Sequence, residues 1–408
     1  MSRADTSLGI SELEIERVHR HDFIEVWAKP TKKPLCKHCE SRQLRIKATH
    51  KRTVKHTRQG NQVLTLHLKV PKYHCRCCGR YFRHPFVGIR PRYRASECFR
   101  LEVFEAHHGG VTQRGISRTH RISPTTVERW YQSHISQKYK EIISRPCPEM
   151  LGIDEHFFTR KKGYATTFVD LRHRSVFDVK LGRSELSLRS YLRHLPNKEN
   201  VKLIAMDLSE TYRGIAKHYF PNATIVADRF HVVRLINHHF LKAWQQHHPE
   251  GRKNRGLLSL MRRHQWHLNE ENNSNLQRYL ADYPVLKTLY EVKQKLIRYM
   301  LLKTMNEKRM EQTLPRFLDL LEQLHHSPLR TLAKTLTSWL QPIIVMWRFT
   351  RNNGITEGFH NKMEMISRRA YGFRNFENNR IRVMTHCGWD GIINRLFIIN
   401  GGHPHSLN

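Results

Sequence analysis

Acidic residues are scarce in this sequence. Asp and Glu total 35 of the 408 residues, whereas Lys and Arg total 71, so the formal net charge is +36. A charge of this size concentrates polyanions and makes their binding depend on salt, which indicates nucleic acid as the partner. Proteins that bind membrane surfaces carry a basic amphipathic segment with lipid anchors, and the sequence has no such segment.

Long apolar runs are absent too. No segment approaches the roughly 18 apolar residues of a membrane span, and the N-terminus lacks a secretory hydrophobic region. Low-complexity stretches and internal repeats are also missing. We therefore expect a protein of a reducing, cytoplasmic compartment, with roughly two to four globular domains for its length.

Cysteine is sparse but unevenly placed. Half of the eight cysteines form two pairs with C-x-x-C spacing, namely Cys36, Cys39, Cys75 and Cys78. Two such pairs complete a tetrahedral Zn²⁺ site, so we predict that these four thiolates bind a structural zinc. His38 and His74 are alternative ligands, Cys77 is a spare thiol, and ordinary reduced thiols are the alternative to a metal site.

Strand patterns surround the cysteine pairs in residues 1–88, which we interpret as a zinc-binding β module. Residues 23–27 are strand-like, and apolar and polar residues alternate from 64 to 70. The segment 58–61 contains Gly and Asn and is expected to form the turn before that strand. The zinc would then join two hairpin-like arms.

Helical patterning follows in residues 89–147, whose centre is typical of a helix-turn-helix. Ser123 is a suitable N-cap and Pro124 a suitable first helical residue, while Ile116 and Val127 are expected to face inside. The residues expected to face a DNA major groove are Thr125, Thr126 and Arg129. A short helical hairpin without a role in DNA recognition is the alternative.

Buried-strand patterns in residues 148–235 end three times in an aspartate. These aspartates are Asp154, Asp207 and Asp228. Three strands able to pair antiparallel, followed by a strand–helix–strand unit, predict the first part of a ribonuclease H-like α/β catalytic core. The whole chain is therefore expected to be a multidomain α+β protein.

Leucines at helical spacing predict an all-helical insertion over residues 236–349. Residues 350–408 are expected to return to the core with an amphipathic helix over Gly354–Arg369. Glu357 and Asn361 share one face of this helix at positions i and i+4. Arg368 and Arg369 near its end are expected to contact DNA phosphates.

Carboxylates at strand ends indicate phosphodiester chemistry. Cleavage of a phosphodiester needs charge neutralised by two metal ions about 3.5–4 Å apart, and Mg²⁺ takes oxygen ligands. Asp154, Asp207 and Glu357 fit this requirement, and Asp228 is the alternative second acid because it also ends a strand. Three further acids are interpreted as solvated or salt-bridged surface residues: Glu155, Asp170 and Asp178.

Several motifs, taken in order, resemble the bacterial insertion-sequence transposases of the ISL-three family over nearly the whole chain. They are the second cysteine pair, the helix-turn-helix, Gly152-Ile-Asp-Glu155, Ala205-Met-Asp-Leu-Ser209, Asp228-Arg-Phe-His231, Glu357-Gly-Phe-His-Asn361 and residues 368–378. Two positions depart from the family pattern. Glu364 stands where a basic residue is common, and Asn379 stands where an aromatic residue is common.

The resemblance implies a DDE transposase, with Asp154, Asp207 and Glu357 as catalytic ligands of Mg²⁺ or Mn²⁺. The auxiliary residues that match are Asp228, His231 and Asn361. The first implied partner is double-stranded DNA, both as terminal inverted repeats and as target. The second is further copies of the chain, in a homo-oligomer assembled on DNA at the bacterial nucleoid. Alternatives are a helix-capping or core role for His231, and a DNA-binding regulator with an inactive core.

Overall fold

The computed structural model describes residues 10, 12–302, 304–324, 326–348 and 354–388, without the side chains of 354–357. By its internal contacts the described chain divides into two compact units, residues 10–141 and residues 142–388. The segments predicted as the zinc module and the helix-turn-helix fall mainly in the first unit. The segments predicted as the catalytic core and its insertion fall in the second.

A five-stranded sheet forms the first part of the N-terminal unit. Its strands are β1 (Leu13–Arg20), β2 (Ile24–Pro30), β3 (Leu44–Gln59), β4 (Gln62–Cys75) and β5 (Tyr81–Arg83). The strand order is β1-β2-β4-β3, and β5 pairs with the second half of β4. The predicted strands are confirmed, as is the turn between β3 and β4, where Gly60 takes a φ of 60° that favours glycine.

Alternating residues of this sheet build its core. Val26, Val54, Leu66 and Leu68 are each no more than 2% exposed and belong to one apolar cluster. Because successive side chains of a strand point to opposite faces, the residues between them remain available to solvent. The second half of β4 instead packs with the cysteine-rich turns, where Tyr73 is 1% exposed.

Three helices complete this unit. They are α1 (Glu97–His108), α2 (Gln113–His120) and α3 (Pro124–Ile143). Ile116 and Val127 lie fully buried in a cluster shared with α1, as predicted. Only three residues join α2 to α3, and the first of them, Arg121, has a left-handed φ of 51°. The start of α3 is also as predicted, because Ser123 Oγ accepts a hydrogen bond from the Thr126 N–H at 3.2 Å.

The second unit contains another five-stranded sheet. Its strands are β6 (Met150–Thr159), β7 (Gly163–Asp170), β8 (Ser175–Leu181), β9 (Leu203–Met206) and β10 (Thr224–Ala227). The order is β10-β9-β6-β7-β8. β6, β7 and β8 pair antiparallel, whereas β9 and β10 run parallel to β6. All five strands were predicted from the sequence, with end points that differ by a few residues.

Helices surround this sheet and fill the segment predicted as the insertion. They are α4 (Glu185–Arg193), α5 (Glu210–Tyr219), α6 (Arg229–His247), α7 (Pro249–Lys253), α8 (Arg255–Arg262), α9 (Glu270–Ala281), α10 (Pro284–Leu301), α11 (Glu307–Gln323), α12 (Ser327–Ser338), α13 (Leu340–Val345), α14 (Gly354–Arg369) and α15 (Phe376–Cys387), with 3₁₀ turns at Lys198–Asn200 and Gln265–His267. Helix α14 has the predicted bounds. Helix α6 runs without a break through the expected boundary at residue 235.

One acid predicted at the surface is instead buried. Asp178 on β8 is 6% exposed, and its two oxygens accept hydrogen bonds from Arg380 Nε at 2.7 Å and Arg380 Nη2 at 2.9 Å. Arg380 belongs to α15, so this bidentate pair joins α15 to the edge strand of the sheet. The interpretation of Asp178 as a surface residue was wrong because its partner lies 202 positions away.

Within the described ranges, no helix combines the length and the apolar character that crossing a membrane requires.

Candidate active site and cysteine cluster

The two cysteine pairs come together at one end of the N-terminal sheet. Cys36 Sγ lies 3.7 Å from Cys78 Sγ, and Cys39 Sγ lies 3.6 Å from Cys75 Sγ. All four sulfurs lie within 4.8 Å of one another. Sulfurs bound to Zn²⁺ at about 2.3 Å in a tetrahedron are separated by a little under 4 Å, so the predicted clustering is confirmed.

Two turns of the same form hold the cysteines. The Glu40 N–H donates to the Cys36 carbonyl at 2.8 Å, and the Gly79 N–H donates to the Cys75 carbonyl at 3.0 Å. Both donors have left-handed backbones, with φ values of 58° for Glu40 and 69° for Gly79. Each turn thus points both sulfurs of a pair to one side.

The electrostatics of this cluster favour a thiolate at one position, Cys75. At Cys39, by contrast, a backbone hydrogen bond is outweighed by burial and by hydrogen bonds with the neighbouring thiols, which raise the pKa of Cys39 to about 12. Hydrogen bonds from the Cys78 and Cys77 backbone N–H groups outweigh burial and lower the pKa of Cys75 to about 6. The alternative histidine ligands are engaged elsewhere. His38 Nδ1 accepts a hydrogen bond from Arg80 Nη1 at 3.1 Å, and the His74 ring packs on Tyr81 with 4.7 Å between centroids. The four cysteines are therefore the group that could hold a metal ion.

The three aspartates predicted at strand ends stand side by side in the second unit, but only two of the strands end there, because β6 continues past Asp154 to Thr159. Ile153 on β6 is level with Met206 on β9, and Met206 is level with Ala227 on β10. The next residue on each strand is Asp154, Asp207 or Asp228. Because β6, β9 and β10 are adjacent and parallel, the three residues lie level with one another across the sheet, at the carboxyl ends of β9 and β10 and in the middle of β6. We call these three residues the aspartate row.

Asp154 is a buried member of the row and lies on the central strand of the sheet. It is 8% exposed, and its Oδ1 accepts a hydrogen bond from the Glu155 N–H at 2.8 Å. Burial raises the pKa of Asp154 to about 6, with a smaller contribution from the charges of Asp207 and Asp228 and an opposing one from His231. A carboxyl that resists ionisation in this way gains from a nearby cation.

Asp207 and Asp228 differ in how their oxygens are used. The buried Oδ1 of Asp207 has no hydrogen-bond partner within the described residues, and burial raises the pKa of Asp207. Asp228 caps α6 by accepting from the Phe230 N–H at 3.0 Å, and its Oδ2 bonds to His231 Nδ1 at 2.6 Å. Burial lowers the pKa of His231, but Asp228 more than offsets this and the net pKa is raised. Of these two residues, Asp207 is thus the one with a carboxylate oxygen left to bind a ligand.

A histidine that the sequence analysis did not single out lies at the aspartate row. His360 on α14 places Nδ1 3.8 Å from Asp154 Oδ2, and its ring packs against His156 with 5.1 Å between centroids. Its buried Nε2 has no hydrogen-bond partner in the described part of the chain. Burial, with the charges of His156 and His231, lowers the pKa of His360 to about 4. The sequence signal was its place three positions after Glu357, one helical turn away.

The remaining predicted residues of α14 are less engaged. The Glu357 side chain lies outside the described residues, so its distance from the aspartate row stays a prediction. Asn361 is exposed. Arg368 is exposed and pairs with Glu364 at 2.6 Å, which gives Glu364 a partner on its own helix, and Arg369 is exposed as well.

The residues predicted to face a DNA groove lie at the start of α3. Thr125 and Arg129 are exposed. Thr126 is half-buried, and its Oγ1 lies 2.9 Å from Ser123 Oγ, so it contributes to the turn that begins the helix. The exposed pair one turn apart therefore leaves one side of α3 open to a partner.

The aspartate row suits a hard divalent cation. It offers carboxylate oxygens, which are the ligands that Mg²⁺ takes. One of these oxygens, Asp207 Oδ1, is buried and makes no hydrogen bond with the described residues. The raised pKa values of Asp154 and Asp207 indicate that no neighbouring positive charge fully offsets the cost of ionising these buried carboxyls. Among the described residues only the four cysteines gather three or more possible ligands closely, so the aspartate row does not form such a group by itself.

Comparison with known proteins places these features in a family. A family model described as Transposase, of the ISL3 group, matches residues 151–383, from β6 into α15, and so includes the aspartate row and α14. The transposase for insertion sequence element IS1001 of Bordetella parapertussis is 25% identical over 370 residues, which cover 87% of this chain and 89% of that protein. The chain belongs to the ISL3 family of transposases.

Proposed function

We propose that this protein is a metal-dependent DNA transposase that cuts the ends of its own insertion sequence and joins them to target DNA. The observation that carries the proposal is the aspartate row with His360 against Asp154, because this contact brings α14 to the row. Helix α14 also carries Glu357, one turn before His360. We propose that Glu357 thereby joins Asp154 and Asp207 at one site.

The catalytic core is proposed to be ribonuclease H-like. Three antiparallel strands, β6 to β8, are followed by β9, helix α5 and β10, with β9 and β10 parallel to β6. Helices from α6 to α13 then intervene before α14. This order supports a core interrupted by a helical insertion before the helix that carries the third acid.

Each acid has a role in this proposal. Asp154, Asp207 and Glu357 would hold Mg²⁺ or Mn²⁺, which when bound supplies the positive charge that activates water and stabilises the leaving oxygen. Asp207 is preferred to Asp228 because its Oδ1 is unbonded within the described chain. Asp228 instead orients the His231 ring through their 2.6 Å hydrogen bond, so it is proposed as a positioning residue.

DNA recognition is proposed to lie in the N-terminal unit. Helix α3 would enter the major groove of the terminal inverted repeat with Thr125 and Arg129, while Thr126 maintains the turn before it. Zn²⁺ is the proposed occupant of the cysteine cluster, because four thiolates in tetrahedral reach are its usual structural site. Arg368 and Arg369 are proposed to contact phosphates, and two element ends joined in one reaction imply a homo-oligomer on DNA.

The test compares cleavage with binding on a labelled DNA fragment that carries one end of the element. Asp207→Asn and Glu357→Gln should each abolish cleavage in Mg²⁺ or Mn²⁺ and leave end binding unchanged, because they remove metal ligands and not phosphate contacts. Asp170→Asn is the matched control, since Asp170 lies on the same sheet beside Leu151 and should retain cleavage.

Two results would contradict the proposal. Retained cleavage in Asp207→Asn together with its loss in Asp228→Asn would make Asp228 the second acid. A wild-type protein that binds the end but fails to cleave it in either Mg²⁺ or Mn²⁺ would favour the alternative function, a sequence-specific DNA-binding regulator.

A further inference from the structure

The zinc module contains a long segment without any acidic residue. From Ser41 to Ser96 there are 15 Lys and Arg residues and no Asp or Glu. The segment includes β3, β4 and β5. No acidic residue within this segment therefore balances its positive charge, and the charge greatly exceeds what solubility requires.

Strand β3 consists of two unlike halves. In its second half the burial alternates, with Val54 and His56 buried, as expected of a strand with one face on a core. In its first half every residue from Arg45 to Lys51 is exposed. β3 is also the last strand in the order β1-β2-β4-β3, so this half has both faces and one edge open. We call the segment Arg45–Lys51 the open edge.

The basic side chains of the two halves are used differently. In the second half, Arg52 Nη2 donates to the Arg90 carbonyl at 2.6 Å, and Lys55 Nζ donates to the Arg121 carbonyl. On the open edge, three basic side chains make no hydrogen bond or ion pair with the described residues. They are Arg45, Lys47 and Lys51. Arg52 and Lys55 therefore stabilise the fold. The three basic side chains of the open edge remain available to a partner.

A β-bulge marks the middle of the open edge. Ile46 is opposite Tyr73 and Ala48 is opposite Lys72, so the register skips Lys47. A bulge leaves its extra residue unpaired and increases the local twist of the strand. The adjoining end of β3 is anchored, because Leu44 is opposite the cysteine ligand Cys75. The open edge is therefore a twisted strand segment that is fixed at its Leu44 end.

We propose that the open edge binds the sugar–phosphate backbone of DNA, a contact additional to the helices of the same unit. The inference rests on the proposed function, which supplies the DNA. Seven residues of strand span about 20 Å, which matches roughly six phosphates along one strand of the duplex. Phosphate contact also explains why the segment has cations and few apolar side chains.

A second copy of the chain is a poor occupant of this edge. Strand-to-strand pairing between two open edges would set like charges opposite one another, which destabilises cross-strand pairs. Charged edge strands do deter such pairing in other proteins. That role alone does not require an acid-free segment of this length.

The test measures DNA affinity of the full-length, zinc-loaded protein by fluorescence anisotropy at several salt concentrations. The variant is Lys47→Gln with Lys51→Gln, and the matched control is Lys32→Gln with Lys33→Gln, two exposed lysines of the same module. Each lost phosphate contact reduces the slope of log K against log salt by about 0.9. The variant should therefore lose about 2 from the slope, and its affinity ratio between 50 and 200 mM salt should shrink roughly tenfold.

The terminal-repeat duplex and a scrambled duplex should be affected alike, because phosphates carry no sequence information. An unchanged slope in the variant overturns the inference, and so does an equal loss in the Lys32 and Lys33 control. Aggregation of the variant with an unchanged slope also overturns it, since the lysines would then only prevent self-association. If any of these three outcomes occurs while Arg129→Ala still weakens end binding, the inference about the open edge fails and the proposed function stands. A wild-type protein without affinity for DNA refutes that function itself.

Discussion

The carboxyl of Asp154 is expected to destabilise the metal-free protein at neutral pH. Asp154→Asn keeps the side-chain shape and an oxygen that can accept the Glu155 N–H, whose hydrogen bond to Oδ1 is 2.8 Å long. The substitution removes only the charge that burial opposes. We therefore expect the variant to be more stable than the wild type when no divalent cation is present.

The magnitude follows from the pKa of Asp154, which burial raises from the ordinary value of 3.8 to about 6. At roughly 1.4 kcal/mol per pH unit, this difference corresponds to about 3 kcal/mol. The folded state holds the proton more tightly than the unfolded state, so stability falls as the pH rises from about 4 to about 6. At pH 7 the loss is complete, and the variant should have a Tm about 6–12 °C higher.

The assay is thermal unfolding in a chelator at pH 4.5 and pH 7, followed by addition of Mg²⁺. The Tm difference between variant and wild type should appear mainly at pH 7, and Mg²⁺ should stabilise only the wild type. Asp282→Asn, at an exposed helix end, controls for the substitution itself. An equal Tm difference at both pH values, or a less stable variant at pH 7, would refute the electrostatic reasoning.

Three other substitutions probe the rest of the molecule. Cys75→Ser should abolish zinc binding, which supplies roughly 10–16 kcal/mol in small zinc domains, and unfold the N-terminal sheet; metal analysis and circular dichroism check this. Arg380→Met should lower the free energy of unfolding by about 3–5 kcal/mol in urea titrations, because it removes the bidentate partner of the buried Asp178 carboxylate and leaves only Lys180 Nζ at 3.6 Å; adding Asp178→Asn should restore part of the loss. Arg129→Ala should weaken binding to the terminal repeat by about 1–3 kcal/mol and leave a scrambled duplex almost unaffected, whereas equal losses on both would exclude α3 as the reader.

Local patterns in the sequence determined the elements and their chemistry. The cysteine spacings, the Ser123 cap and the bounds of α14 follow from interactions over a few residues, and the structure has all of them. The strands beside the three aspartates were recognisable for the same reason, since burial preferences act within a short segment, although β6 extends five residues past Asp154.

Tertiary structure alone decided which of these residues meet. The aspartate row depends on the register among β6, β9 and β10, the burial of Asp178 depends on Arg380 from α15, and the contact between His360 and Asp154 joins a helix to a strand some 200 residues earlier. The open edge likewise exists only because β3 ends the sheet order. Periodicity reports which face of an element is apolar, but the neighbour that covers that face is selected by packing across the whole chain, and no local pattern encodes it.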